Sequence, residues 1–273
     1  MTEKEALIAA NTVLWILDNN FVTENKKPIE FTQHRFLIDY MSDQHPDKVA
    51  IKSSQVGLTV AETLDAIHLA AFRNMTSIHT LQTNDVIKGF VQPKVDPIIQ
   101  MNPAISDVLK VDSQNLKQFG DAFVFYRGAQ AESQAINISA DVLKIDELDR
   151  SKPKVVEMYQ SRLDHSEYKW MRRFSNPSAI GYGVDALWQD SNQLHWFVKC
   201  SHCGHKWYVD FEQNEIEKNH YVDKVREVFA CGKCNKEITT RDRIRGEWIA
   251  KYPNRTHRHG YWFSQMMAPW FSA

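Results

Sequence analysis

The residues best placed to do chemistry begin in Val49–Ile67, read "VAIKSSQVGLTVAETLDAI": an apolar strand, a loop of small residues, then a helix. A phosphate site needs backbone amides that converge on oxygens, a helix N-terminus aimed at them, a hydroxyl for a metal and a cation for developing charge. Gly57 permits the tight turn, Thr59 supplies the hydroxyl as the helix opens, and Lys52 can fold back from the strand end. The usual phosphate loop places its lysine directly before the hydroxyl residue, where this chain has Leu58. Either the lysine is displaced to the front of the loop, or the segment is an ordinary strand–turn–helix.

Further candidates follow in order. "DVLKIDELD" puts Asp146 at the end of a buried strand, where ligands of open α/β sheets gather, with Lys144 interrupting the apolar run. Asp146 suits Mg²⁺ and Glu147 suits the polarising of an attacking water; the alternative is a strand capped by two solvated acids. Ser175 and Asn176 in "FSNPS" end another strand and can sense a terminal phosphate, or simply make a turn before Pro177. Gln33, an amide with donor and acceptor together, suits the edge of adenine.

The strongest local signal is a pair of Cys-x-x-Cys knuckles, Cys200/Cys203 and Cys231/Cys234, which use all four cysteines of the chain. Four thiolates on two tight turns make a closed tetrahedral Zn²⁺ site, and His202 and His205 are then bystanders. A redox pair is the rival, less suited to two copies with aromatic residues between them.

These residues need elements to hold them. Helical spacing predicts an amphipathic helix from the N-terminus to about Asn19-Asn20, and another carrying Phe36, Leu37, Tyr40 and Met41. Strands "KVAIKSS", "SIHTLQT", "DAFVFYRG", "DVLKIDE" and "YKWMRRFS" alternate with helices at Thr59–Phe72 and "PKVVEMYQSRLD", and a helical stretch from Asn84 to Met101 is interrupted by Pro93 and Pro97. Such alternation implies a mostly parallel sheet covered on both faces.

The 273 residues, 43% hydrophobic and 25% charged, suit one large globular domain with a small insert. A net charge of −1 gives no global attraction for polyanions, so nucleic-acid contact needs a local patch such as "KWMRR", Lys169–Arg173. No apolar run reaches the roughly 20 residues of a membrane span, and the N-terminus lacks the layout of a secretion signal. A cytoplasmic protein with no membrane partner is expected.

Taken in order, Gln33, the Lys52 loop, the "LQT" strand end, Asp146-Glu147 and Ser175-Asn176-Pro177 resemble the large terminase subunit of tailed bacteriophages, the motor that packs viral DNA, and in particular its lambda-like branch. The likeness runs from about Phe31 to Trp270. It implies an α/β P-loop NTPase of the additional-strand type, with an N-terminal helical segment (1–30), an ATPase core (31–194), a zinc-ribbon insertion (195–247) and a return segment (248–273). It implies ATP bound by Gln33 and by Ser53, Ser54, Gln55, Val56, Gly57, Leu58 and Thr59. Lys52 then contacts the phosphates, Thr59 and Asp146 hold Mg²⁺, Glu147 is the general base, and Ser175 and Asn176 couple hydrolysis to movement.

Double-stranded DNA, a small terminase subunit, a portal and a homo-oligomeric ring are the implied partners. An arginine finger is also implied, with Arg127 and Arg162 as candidates. Full-length members continue into a nuclease domain; this chain stops at Ala273, so DNA cleavage is not expected of it. Two rival readings remain: a helicase-like remodelling ATPase, and a zinc-ribbon binding module on an inactive scaffold, which Leu58 favours.

Overall fold

The structure, a computed structural model, describes residues 2–208, 222–223 and 225–272. The N-terminal segment forms two helices, α1 (Glu3–Ala10) and α2 (Thr12–Asp18), where periodicity predicts one. Asn11 divides them: its side chain accepts from the Val13 and Leu14 amides at 2.9 and 3.1 Å, starting a new helix instead of continuing the old. Next comes α3 (Arg35–Ser42), which buries Phe36, Leu37, Tyr40 and Met41, the four residues whose spacing predicts it.

Strands and helices then alternate as β1 (Asp47–Lys52), α4 (Leu58–Arg73), β2 (Ser77–Leu81) and α5 (Asn84–Phe90). A π-turn at Val91–Val95 contains Pro93, and α6 (Asp96–Met101) takes Pro97 in its first turn, where a missing amide costs little. The prolines therefore shape this helical path without ending it. After a short α7 (Pro103–Ser106) comes an edge hairpin absent from the sequence reading, β3 (Leu109–Ser113) and β4 (Leu116–Phe119), followed by β5 (Ala122–Gly128), β6 (Val142–Asp146), α8 (Pro153–Gln160), β7 (Trp170–Ser175) and α9 (Gly183–Gln189). The remainder comprises β8 (Leu194–Lys199), β9 (Lys206–Tyr208), β10 (Val222–Asp223), β11 (Val228–Phe229), α10 (Thr240–Ile244), β12 (Glu247–Ala250) and β13 (His259–Phe263).

Among the described residues the main sheet runs β12-β8-β13-β1-β7-β6-β2-β5-β4-β3, with β9 on β8. The seven strands from β8 to β5 are parallel, and antiparallel strands close both edges. The expected insertion, 195–247, thus opens within a strand of the main sheet; its residues 209–221 and 224 lie outside the described residues. No described helix is long and apolar enough to cross a membrane.

Alternation along the strands sends side chains to two covered faces. Val49 and Ile51 of β1 pack with Val184 and Trp188 of α9, while Ala50 between them joins the core built on α4. In β6, Leu143 and Ile145 pack with Val155, Val156 and Tyr159 of α8. Lys144 consequently points the other way, toward α4. There its ammonium, fully buried, sits 2.5 Å from both Glu62 and Asp65, one turn apart on the helix. The lysine that interrupts the apolar run is the cation of a buried cluster. Desolvation alone would raise the Asp65 carboxyl, but Lys144, Lys48 and Arg172 outweigh it and hold it well below the usual range. Lys48 shows the cost from the other side: burial and the Arg172 charge bring its ammonium down to about 8.

Removing one partner from such a cluster strands the opposite charge in a poorly solvated site. Lys144→Met is therefore expected to destabilise the fold by about 3–5 kcal/mol, read as a lowered denaturant midpoint. An unchanged midpoint would show that water already solvates Glu62 and Asp65.

The basic run "KWMRR" is not the surface patch its composition suggests. Arg172 and Arg173 are buried in β7, where Arg172 donates to the Pro46 carbonyl at 3.1 Å and Arg173 pairs with Asp47. Their charges are consumed inside the sheet and offer nothing to a polyanion.

Candidate active site

The strand order sets β7 between β1 and β6, and the register matches Ile51 to Ser175 and Asp146 to Phe174. Lys52, Ser175 and Asp146 therefore end three adjacent parallel strands on the same side of the sheet, its carboxyl edge. From Lys52 the chain turns through the loop with Gln55 and Gly57 both at positive φ, 63° and 81°, and enters α4 at Leu58. A Cβ on Gly57 would stand 3.3 Å from Leu37 and 3.4 Å from His34, so the loop lies close against α3 and its approach. The first intrahelical bond, Ala61 N to Gly57 O, leaves the amides of Leu58, Thr59 and Val60 without helical acceptors at the mouth of the loop.

Four side chains converge there. Lys52 Nζ lies 2.5 Å from Asp146 Oδ1, 3.2 Å from Glu147 Oε1 and 3.3 Å from Thr59 Oγ1. Thr59 Oγ1 in turn donates to Asp146 Oδ2 at 3.0 Å. Lys52 and Asp146 are nearly buried, whereas Glu147 keeps 31% of its side chain exposed, facing the opening. Glu147 also has a left-handed backbone, φ 56° and ψ 54°, an unusual state for a side chain with a Cβ. That kink follows the end of β6, and the Glu147 carboxylate still meets Lys52 beside Asp146.

Ser175 Oγ lies 3.4 Å from Glu147 Oε2 and 3.0 Å from the Asn176 carbonyl, two acceptors for one proton, and receives the Asp149 amide at 3.3 Å. Asp149 accepts from Ser178 N, Ser178 Oγ and Val184 N at 2.8–2.9 Å, tying the loop after β7 to the loop after β6. A crevice of about 230 Å³ opens here, lined by the loop from Lys52 to Val60 with Glu147 and Asn176.

Other sequence candidates fare differently. Gln33 is exposed ahead of α3 and lines neither this crevice nor its neighbour. Its neighbour His34 does: it borders an apolar cavity of about 180 Å³ on the far side of Gly57, with Phe31, Leu37, Met41, Val60 and Leu64. Burial lowers the His34 pKa, which favours the neutral ring. Sequence reading overlooked His34 because a single histidine carries no spacing signal. Arg127 donates to the Asn115 and Tyr126 carbonyls, and Arg162 to that of Met158, so neither joins the Lys52 cluster within this chain.

The cysteines converge as well. Cys200 and Cys234 sulfurs are 3.8 Å apart, Cys203 and Cys231 sulfurs 3.6 Å, and all four lie within 4.8 Å of one another. Tetrahedral Zn–S bonds of about 2.3 Å require S···S distances of about 3.8 Å, which the two closest pairs match, so four thiolates this near one another suit Zn²⁺. The His205 amide points at Cys203 and brings its thiol down to about 7. Neither His202 nor His205 belongs to the ligating group.

The family model of the phage terminase large subunit gpA, ATPase domain, matches residues 33–251. The chain belongs to that family. The resemblance drawn from the motif order, and the mostly parallel α/β P-loop fold it implied, hold. Among solved structures, this terminase ATPase domain is similar to the HK97 bacteriophage large terminase (TM-score 0.54, 12% identity, covering 70% of this chain and 41% of that one). It is also similar to the large terminase ATPase domain of Thermus phage P74-26 (TM-score 0.46, 11% identity, 74% and 91%). At such identity the HK97 likeness shows the fold alone. The chain spans about two fifths of the length of that terminase. No curated protein matches it.

Proposed function

We propose that this terminase ATPase domain hydrolyses ATP with Mg²⁺ to drive double-stranded DNA into a procapsid. The observation that carries the reading is the meeting of Lys52, Thr59, Asp146 and Glu147 within 3.3 Å contacts at one sheet edge. Ser54 to Thr59 supply backbone amides for the phosphates, and the apolar cavity beside Gly57, bordered by Phe31 and His34, offers a face for the base. Gln33, exposed just before His34, reaches the base only if the segment ahead of α3 moves. Thr59 Oγ1 and Asp146 Oδ2 are hard oxygen donors that already adjoin, which suits Mg²⁺. When bound, the metal neutralises charge on the phosphate oxygens.

The chain's own groups do the rest. Lys52 balances Asp146 and Glu147 now, and its ammonium is the one cation that the loop can offer to phosphate oxygens. The Glu147 carboxylate, exposed toward the opening, takes a proton from water as the water oxygen bonds the γ-phosphorus and the bridge to the β-phosphate breaks, with ADP as the leaving group. Ser175, hydrogen-bonded toward Glu147 and linked through Asp149 to the following loop, is placed to relay the state of the site to β7 and beyond. On this reading its partners are double-stranded DNA, a small subunit, a portal and a ring of copies. The knuckle is proposed to hold one structural Zn²⁺.

Leu58 favours the rival reading of an inactive scaffold, since it occupies the usual lysine position and is buried in α4. Titration with a fluorescent ATP analogue and Mg²⁺ separates the two. Lys52→Ala is expected to weaken binding at least about tenfold, the loss of a charge-assisted contact. Equal binding by both proteins, or none by the wild type, rejects the site.

A further inference from the structure

Arg243 lies on α10, just beyond the second cysteine knuckle, and only 5% of it is exposed. No carboxylate pairs with it among the described residues. Its guanidinium instead donates to backbone carbonyls of a single segment: Nη1 to Ala268 at 2.8 Å, Phe271 at 3.0 Å and Met266 at 3.4 Å, and Nη2 to Pro269 at 3.3 Å. A planar fork of donors suits several carbonyls at once, which an ammonium cannot match. The face of the fork lies 4.5 Å from the Phe229 ring.

The segment so held also touches the phosphate loop. Gln265 N donates to Ser53 Oγ at 3.2 Å, and Gln265 Nε2 to the Ser54 carbonyl at 3.4 Å. Ser53 itself bonds the Phe263 carbonyl through both its amide (3.0 Å) and its hydroxyl (2.8 Å). Further along, Trp270 packs on His34 at 4.3 Å, the residue that borders Gly57. At the other end α10 is fastened to the knuckle, because Ser201 Oγ donates to Asp242 Oδ2 at 3.3 Å, and to the sheet, because Trp196 Nε1 donates to the Arg243 carbonyl at 2.8 Å.

We infer that Arg243 is a positioning residue for the phosphate loop: it seats Ser264–Phe271 as a strap whose Gln265 fixes Ser53 and Ser54, joining the cysteine knuckle to the nucleotide site. The part of this inference that concerns nucleotide rests on the proposed function. The strap itself does not. The strap holds Ser53 and Ser54, the stretch of the loop just ahead of Gln55 and its positive φ.

Hydrogen exchange read by mass spectrometry on the full chain, loaded with zinc, tests this without nucleotide. In Arg243→Met, amides of residues 264–271 and of 53–57 are expected to exchange about tenfold faster, with bound zinc unchanged by elemental analysis. Arg243→Lys should restore only part of the protection. Gln265→Ala, which spares the buried arginine and the backbone bond to Ser53 but removes the side-chain contact to Ser54, should speed 53–57 less than Arg243→Met and leave 264–271 unchanged. Faster exchange in 264–271 with 53–57 at the wild-type rate in all three variants overturns the inference, as does full rescue by lysine. Titration with the fluorescent ATP analogue then reads about tenfold weaker binding in Arg243→Met. Wild type that fails to bind nucleotide would defeat the proposed function, while the exchange comparison would still decide the strap.

Discussion

Glu147→Gln is expected to lower ATP hydrolysis by about 10²- to 10⁴-fold while leaving Mg²⁺–nucleotide affinity within a few-fold of wild type. The substitution keeps shape and hydrogen-bond reach but removes the only oxygen pair at the crevice mouth able to accept a proton. Asp146 cannot take over, because its two oxygens are engaged by Lys52 and Thr59 and it is almost wholly buried. A phosphate-release assay run beside the nucleotide titration separates the outcomes. A large rate loss with binding retained marks a general base, whereas parallel loss of both would mean that Glu147 only holds Lys52 in place. A wild-type rate would move the base elsewhere.

Metal removal should have the second large effect. The described part of the knuckle has small strands and few apolar residues of its own: Trp207, Phe229 and Ile238 are buried beside Cys200 and Cys231. Structural zinc contributes about 10–16 kcal/mol of apparent binding energy in comparable small sites. Chelation, or Cys231→Ser, is therefore expected to unfold the knuckle and to remove about one zinc per chain, with loss of near-UV circular dichroism from its aromatic residues. A metal-free protein whose mass shows thiols joined as disulfides would instead support the redox alternative.

The site was largely legible because its parts lie at element boundaries. A strand end, a loop glycine and a helix-opening hydroxyl are local features, so Lys52, Gly57 and Thr59 can be found from spacing alone, and Asp146-Glu147 from an apolar run that stops in two acids. The geometry then brings Lys52 to Asp146, since a residue ending β1 reaches one ending β6 across a single intervening strand. Composition misled where charge was compensated at long range. Lys144 looked like a flaw because its partners Glu62 and Asp65 lie on α4, far away in sequence, and "KWMRR" looked like a patch because Asp47 and Pro46 were not visible as its acceptors.

The edge hairpin escaped for a related reason. "LKVDS" and "LKQF" carry little apolar alternation, and Lys117 in the second is buried where Asp96 and Asp112 meet it. The strap could not be read at all. Backbone carbonyls are the acceptors for Arg243, and carbonyls leave no trace in the order of side chains.

A crystal structure with Mg²⁺ and a non-hydrolysable ATP analogue tests the central claim most directly. The β- and γ-phosphates are expected inside the crevice against the Ser54–Thr59 amides, with Lys52 Nζ drawn off Asp146 onto phosphate oxygen and Thr59 and Asp146 at the metal. Phosphate density away from this loop, with Lys52 still paired to Asp146, would contradict it.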